Sequence, residues 1–419
     1  MSGWLLFSAA ISIPTQARVL KWQDCVQLAI DKNPDLKANQ AALKSTVAQE
    51  GVASSGFYPQ LNASFGYNRF TPSTYDPTQD QGNSFDAFNA TFKVNQNLFN
   101  GMQDVEKWHQ AQSNSLASRA SLQISKSAVS YSLKNAFEAY VYAKSYQKLT
   151  SDIIRRRQEN LRIVELRFQG GRENKGSVLL SRANLNQAKF DDFQAKNLKE
   201  AAKTQLRQAL GLDDNEDLDV ADTVPLHTSA MPAPNFRAVV EQTPTYQQSV
   251  AQAQAAEHGT NIARGVFLPT FNLTGEYGTT GADVYPPIQH WIVGVNLNLN
   301  VLNGGKDYSS LQAASYTQMQ NENQASSAHF QGVVTLRKSY NNLMEAIEKL
   351  KVDESFREAE ITRAEIARRK YNNGLLSFED WDIIESDLIF REKNYLSSLQ
   401  ARVIAEAAWE RDQGTGAIP

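Results

Sequence analysis

From Asp104 to Phe168 the chain holds neither proline nor glycine, and apolar or aromatic residues return every seven positions at Leu133, Tyr140, Ile154, Leu161 and Phe168, interrupted by Gln147. A seven-residue spacing keeps one helix face apolar and lets it supercoil left-handedly against neighbours. The stretch predicts a helix of roughly 65 residues, about 100 Å long at 1.5 Å per residue. Lys306 to Tyr371 repeats the pattern with Leu336, Leu343 and Leu350, no proline and one glycine, Gly332. Alanine and serine are frequent on both stretches, which permits close multi-helix packing. The acidic residues along them read as solvent-facing charge.

Between these helices the period changes to two. Leu61, Ala63, Phe65 and Tyr67 alternate with Asn62, Ser64, Gly66 and Asn68, and Phe88, Ala90, Phe92 and Val94 with Asn89, Thr91, Lys93 and Asn95. Phe271, Leu273 and Tyr277 alternate with Asn272, Thr274 and Glu276. Trp291, Val293, Val295, Leu297 and Leu299 do so with Asn296, Asn298 and Asn300. Such alternation fits a half-buried sheet, or a transmembrane barrel wall whose other face lines water. The joining loops, 71–84 and 279–289, are polar. Four strands cannot close a barrel and open edges cannot lie in lipid, so a membranous reading requires several copies; three give twelve strands.

The chain also repeats itself. Pro34 and Pro59 match Pro244 and Pro269, Asn62 and Tyr67 match Asn272 and Tyr277, and the run Asn97–Gly101 is echoed by Asn300–Gly304. The predicted organisation is a signal-peptide-like remnant over 1–17, a first repeat over 18–211, a connector over 212–235, a second repeat over 236–412 and a tail over 413–419. The first repeat has a helix, strands near 60–70 and 86–99, a long helix over 104–169 and a returning helix over 177–210. The second has a helix, strands near 268–279 and 289–301, a long helix over 306–372 and a returning helix over 377–411. Residues 1–17 are apolar and end in Thr15-Gln16-Ala17 without a basic lead; an apolar strand or buried helix is the other reading.

Composition narrows the function. With 42 basic and 45 acidic residues among 419, the net charge of −3 offers no positive field for a nucleic-acid backbone. The single Cys25 forms no intrachain disulfide and five scattered histidines form no ligand pair, so neither metal nor cofactor is expected. No dinucleotide, phosphate-loop or nucleophile-elbow motif is present, which argues against an enzyme. A periplasmic coiled-coil structural or interaction protein without a pore is the alternative to a channel.

Several segments together resemble the TolC family of bacterial outer-membrane efflux and secretion channels. WQDCVQLAIDKNPDL resembles its opening signature, FYPQLNASFGY and FLPTFNLTGEYG its helix-to-strand junctions, NLFNG and NVLNGG its strand-to-helix stretches, and the run from Arg368 to Gly414 its closing segment. The resemblance spans about residues 19 to 412. It implies a mixed α and β chain forming a homotrimeric twelve-stranded barrel in outer-membrane lipid. A long periplasmic α-helical coiled-coil barrel would continue it, with the connector and chain ends in an equatorial belt. It also implies passive conduction in a tripartite efflux or type I secretion system, with a periplasmic adaptor (membrane fusion) protein and an inner-membrane pump of RND or ABC type as partners. Cys25 follows no apolar lipobox and is expected in a small buried surface.

The family's periplasmic end is narrowed by aspartate rings near the start of the last returning helix. Asp380 falls on the first of these positions; Ile383 falls on the second, with Asp382 beside it, so Glu379, Asp380 and Asp382 are the gate and selectivity candidates. Under three-fold symmetry one carboxylate becomes a ring that selects cations. The same segment also reads as an acidic helix start capped by Ser377, and both readings can hold together. Gly171, Arg172 and Lys175 in the first turn, and Gly374, Leu375, Leu376 and Ser377 in the second, are candidates for adaptor docking; ordinary interhelical loops are the other reading. The first turn reads as about three residues longer than the second.

Overall fold

Six strands and eight α-helices follow one another among the described residues of the computed structural model, 18–70, 85–213, 217–221, 223–226 and 232–419. The apolar start, the loop at 71–84 and parts of the connector lie outside the described residues. In order the elements are β1 (Arg18–Leu20), α1 (Trp22–Lys32), α2 (Pro34–Ser54), β2 (Gln60–Phe70), β3 (Phe85–Asn100), α3 (Gln103–Gln169) and α4 (Lys175–Leu210). Then come β4 (Leu218–Val220), α5 (Phe236–Gln242), α6 (Pro244–Gly265), β5 (Thr270–Gly281), β6 (Ile288–Asn298), α7 (Lys306–Asn372) and α8 (Phe378–Gln413). They divide into two units, one from Ala41–Ser121 and Thr245–His329, the other from Met1–Gln40, Leu122–Pro244 and Phe330–Pro419.

The first of these units contains an antiparallel sheet in the order β2-β3-β5-β6. Its register pairs Ala63 with Phe92, Phe92 with Tyr277 and Tyr277 with Trp291, so the apolar positions of all four strands share one face. That face is not covered within the chain: Phe65 is 79% and Trp291 74% exposed, and Leu61, Val293, Val295 and Leu297 are also exposed. A half-buried sheet would have hidden this row instead. β6 ends at Asn298, short of the expected 301, and Leu299, Val301 and Leu302 are exposed outside it. At the joint from β3 into α3, Gly101 takes φ +68°, and a Cβ there would stand 2.2 Å from the Gly265 carbonyl oxygen. Only glycine permits both the backbone turn and that approach. Nearby, His258 Nδ1 meets Glu106 Oε2 at 2.7 Å, joining α6 to α3.

In the second unit, β1 and β4 pair in parallel, placing part of the connector beside residues 18–20. Leu20, Trp22, Cys25, Leu133, Phe137, Tyr140, Leu206 and Ile418 form its main core, with Trp22 edge-on to Phe137 at 5.3 Å. Cys25 is fully buried there.

Two expectations about the long helices need correction. Leu133 and Tyr140 are buried, but Phe168 is 43% exposed and Ile154 and Leu161 are only partly covered. Below Gln147 the buried row runs through Thr150, Ile153, Arg157, Asn160 and Val164. Three of these are polar and were invisible to a count of apolar residues. Nor are the acids uniformly solvent-facing: Glu138 and Asp353 of the long helices are buried, as are Asp192 of α4 and Glu385 and Glu406 of α8. Asp192 accepts from Thr150 Oγ1 at 2.9 Å and pairs with Lys196, while Asp353 is bonded by Ser398 and Lys349. Burial pushes the Asp192 carboxyl up, but its hydrogen bonds outweigh that and hold it below the usual carboxylate range.

Candidate functional site at the hairpin turns

The α3–α4 and α7–α8 hairpins have equal dimensions. α3 and α7 are each 67 residues long, and α4 and α8 each 36. The turns, 170–174 and 373–377, are equally long, which overturns the longer first turn read from the sequence. The error came from starting the first returning helix at 177, when Asn174 already caps it: its side chain accepts from Ser177 N at 2.9 Å. Gly171 (φ +69°) and Gly374 (φ +78°) occupy the same left-handed place in each turn. Arg172 N donates to the Arg167 carbonyl at 2.8 Å and Leu375 N to the Lys370 carbonyl at 2.9 Å, closing both helix ends in the same manner.

Gly171, Arg172, Lys175, Gly374, Leu375 and Ser377 are exposed, and Leu376 is half-buried. Ser377 Oγ accepts from Asp380 N at 3.0 Å and donates to Asp380 Oδ2 at 2.8 Å, so Asp380 belongs to the helix cap while remaining at the surface with Glu379. Such a cap satisfies backbone donors left open by the first helical turn.

Asp382 has a different environment. Arg157 of α3 donates to its Oδ1 at 2.7 Å and to Ser386 Oγ at 3.0 Å, while Asn184 of α4 donates to both Asp382 oxygens at 3.0 and 3.1 Å. Asp382 thus joins three helices through bonds to an ionised group, which are the stronger kind. Arg156 to Glu392 at 2.5 Å and Lys393 to Asp191 at 2.7 Å extend the connection between the hairpins. The turns themselves are linked by Tyr371. Its hydroxyl donates to Glu173 Oε2 at 2.9 Å, its ring stacks on Trp381 at 4.3 Å, and Arg167 lies 4.5 Å above the ring while donating to its carbonyl at 2.6 Å. Burial and the neighbouring Glu173 push the Tyr371 phenol above its ordinary range, so it remains a donor at neutral pH. Val164, Val178, Ala367, Phe378 and Trp381 complete an apolar cluster around it.

Thus Asp380 and Asp382, two residues apart, face different surroundings. Sequence reading missed Arg157, Asn184, Glu173, Arg167 and Tyr371. The available signal was the 3-4 spacing of polar residues Thr150, Arg157 and Asn160 with Ile153 and Val164. Among the described residues no group of three or more His, Cys, Asp or Glu could hold a metal ion, and no helix is long and apolar enough to cross a membrane.

The chain matches the family described as "Outer membrane efflux protein" over residues 25–212 and 237–410. No curated protein matches it by sequence. Among solved structures it resembles CusC at 17% identity, covering 97% of this chain and 98% of that one with a TM-score of 0.85. The CmeC outer membrane channel of Campylobacter jejuni is 18% identical, with 98% and 91% coverage and a TM-score of 0.84. The open state of the MtrE outer membrane channel of Neisseria gonorrhoeae is 18% identical, with 94% and 89% coverage and a TM-score of 0.83. At these identities the similarity is one of fold.

Proposed function

Because the chain belongs to the outer membrane efflux protein family, whose members are transport proteins rather than enzymes, we propose that it is the passive outer-membrane conduit of a tripartite efflux or type I secretion assembly. The observation that carries this reading is the four-stranded sheet with an uncovered apolar face. Its outer strands, β2 and β6, need partners before the sheet can enter lipid, and three copies supply a closed twelve-stranded wall. The internally repeated strands and hairpins would then surround one axis, with a periplasmic adaptor and an RND or ABC pump at the hairpin end. A pore-free coiled-coil protein would leave the apolar row facing water.

Electron microscopy of the detergent-extracted protein tests this architecture. The expected particle is three-fold, with a short barrel joined to a hollow helical rod; a solid rod or globular dimer overturns it. Val295→Arg should impair insertion more than Asn296→Arg, since it places charge on the apolar face.

In this reading Asp380 supplies the ring charge, supported by its exposure beside the second turn. Glu379 adds to the negative rim. Asp382 serves as a latch to Arg157 and Asn184 instead of as an open pore charge. Asp380→Ala should lower cation selectivity and cation block in planar bilayers; unchanged values would remove it from the constriction. The exposed turn residues serve as the adaptor's docking surface, and unchanged adaptor affinity after neutralising both turns would overturn that assignment.

A further inference from the structure

A polar groove of about 530 Å³ lies wholly within the unit that carries the sheet, between the end of α2, the start of β2 and the first turns of α3. Its volume falls in the range of small-molecule sites, roughly 300–1,000 Å³. Gln49, Gln60, Asp104, Lys107, Gln110 and Asn114 line it, all with side chains that end in hydrogen-bonding groups. Gly56 makes the room, since a Cβ there would stand 2.7 Å from Asp104 Cγ. Gln60 shares the polar face of β2 with Asn62 and Ser64, the face that meets water in the conduit reading.

The internal repeat shows that the fold does not require this lining. With Pro59 matched to Pro269 and Gly101 to Gly304, Gln49, Gly56 and Gln60 correspond to Gly259, Val266 and Thr270. Lys107, Gln110 and Asn114 correspond to Ser310, Ala313 and Thr317, and only Asp104 keeps its type, as Asp307. The second copy thus makes the same helix, strand and long helix with a valine for the glycine and short side chains for the long polar ones.

The two aspartates also differ in their partners. Asp307 accepts from Asn300 at 2.9 Å and from Asn303 at 3.3 Å. Asp104 accepts from Asn97, while Lys107 stands 3.6 Å from its Oδ1, beyond hydrogen-bonding distance. The Oδ1 of Asn97 is buried and has no partner among the described residues, which leaves this corner one donor short. The Lys107 side chain is 49% exposed and that of Asp104 15%. The groove therefore offers a carboxylate to a donor and, one helical turn along α3, a loosely held ammonium to an acceptor.

We propose that this groove binds a small zwitterion of amino-acid or short-peptide type, its ammonium at Asp104, its carboxylate at Lys107 and its polar middle against the amides of Gln49, Gln60 and Asn114. A zwitterion exchanges the loose Asp104–Lys107 pair for two charge-assisted hydrogen bonds and leaves the net charge of the groove unchanged. An apolar solute would strip water from the same polar ends and return no bond. The site rests on the conduit reading only for its access, which is from the water-filled interior.

Saturation-transfer NMR of the full chain in detergent, with triglycine as the probe, tests the site. Saturation should reach the triglycine methylenes and fall about tenfold when the peptide is acetylated at one end and amidated at the other. Gly56→Val and, separately, Lys107→Ser with Asn114→Thr install the residues of the second copy, and each should lower the transfer by about the same factor. The second variant keeps the Gln110 bond to the Ala255 carbonyl at 3.0 Å, and it decides the matter if Gly56→Val does not fold. No transfer to triglycine, equal transfer to the blocked peptide, or undiminished transfer in the Lys107→Ser, Asn114→Thr variant overturns the site. Planar-bilayer conductance is read separately. Channels without triglycine binding sink the site and leave the conduit reading standing; binding without conductance sinks the conduit reading and leaves the site.

Discussion

The α3–α4 and α7–α8 hairpins have the same helix lengths, the same turn length and a left-handed glycine in the same place, yet they contribute opposite chemistry to their junction. α3 supplies the cations Lys134, Arg156 and Arg157, and α8 the carboxylates Glu410, Glu392 and Asp382 that receive them. The reverse pair joins Lys393 of α8 to Asp191 of α4. Local rules therefore make two copies of one shape, while complementary side chains decide how those copies join. The turns differ in the same way: Asn174 caps one and Ser377 the other, but only the second brings a buried tyrosine and tryptophan.

The strongest way to break this complementarity is Arg157→Ala. It leaves the partly buried Asp382 without its cation and should cost about 3 kcal/mol of stability in denaturant unfolding of the solubilised protein. Arg157→Met combined with Asp382→Leu should recover part of that loss, since neither charge is then left unpaired, while Asn184 and Ser386 still lose their partners. No recovery would show that the arginine acts through something other than the pair.

A second difference lies higher on α3, where Glu138 is buried while Asn341 of α7, its counterpart by position in the helix, is exposed. Burial raises the Glu138 carboxyl from 4.5 to about 7. Between those values the folded protein holds a proton that the unfolded chain releases, so stability falls as pH rises through this window and the penalty is complete above about 7. Glu138→Gln should therefore leave stability nearly unchanged at pH 4 and raise it at pH 8 by up to about 3 kcal/mol, using 1.36 kcal/mol per unit. A gain independent of pH would contradict ionisation as its cause.

The smallest test compares the caps. Asn174→Ala and Ser377→Ala should each cost about 1 kcal/mol, but only Ser377→Ala also removes the hydroxyl bonded to Asp380. Equal thermal destabilisation with a conductance change confined to Ser377→Ala would separate turn architecture from gating. Equal conductance changes would remove that distinction.

The long helices were legible because a stretch free of proline and glycine, with apolar residues at heptad spacing, meets only local requirements. The strands were legible because Phe65, Tyr67, Val293 and Val295 mark one side of a period-two pattern. Asp380 was legible as a cap residue because Ser377 stands three positions earlier. Heptad counting failed below Gln147, where the buried row contains Thr150, Arg157 and Asn160. These residues resemble surface residues until their partners are known. The turn lengths were misread for a related reason: an asparagine cap followed by lysine and glycine looks like loop until Ser177 N is seen bonded to Asn174.

Element lengths, the alternation of the strands and the left-handed turns followed from residues close together along the chain, because helix, strand and turn geometry depends on neighbours within a few positions. Which helix face is buried, which acids are matched and how Asp380 differs from Asp382 depended on contacts across the fold. Arg157 and Asp382 are 225 residues apart, and their pairing exists only where α3, α4 and α8 are brought together. Burial then lowers the local dielectric and gives each charge a fixed partner, so the same residue type becomes a surface cap at one position and a three-helix tie at the other.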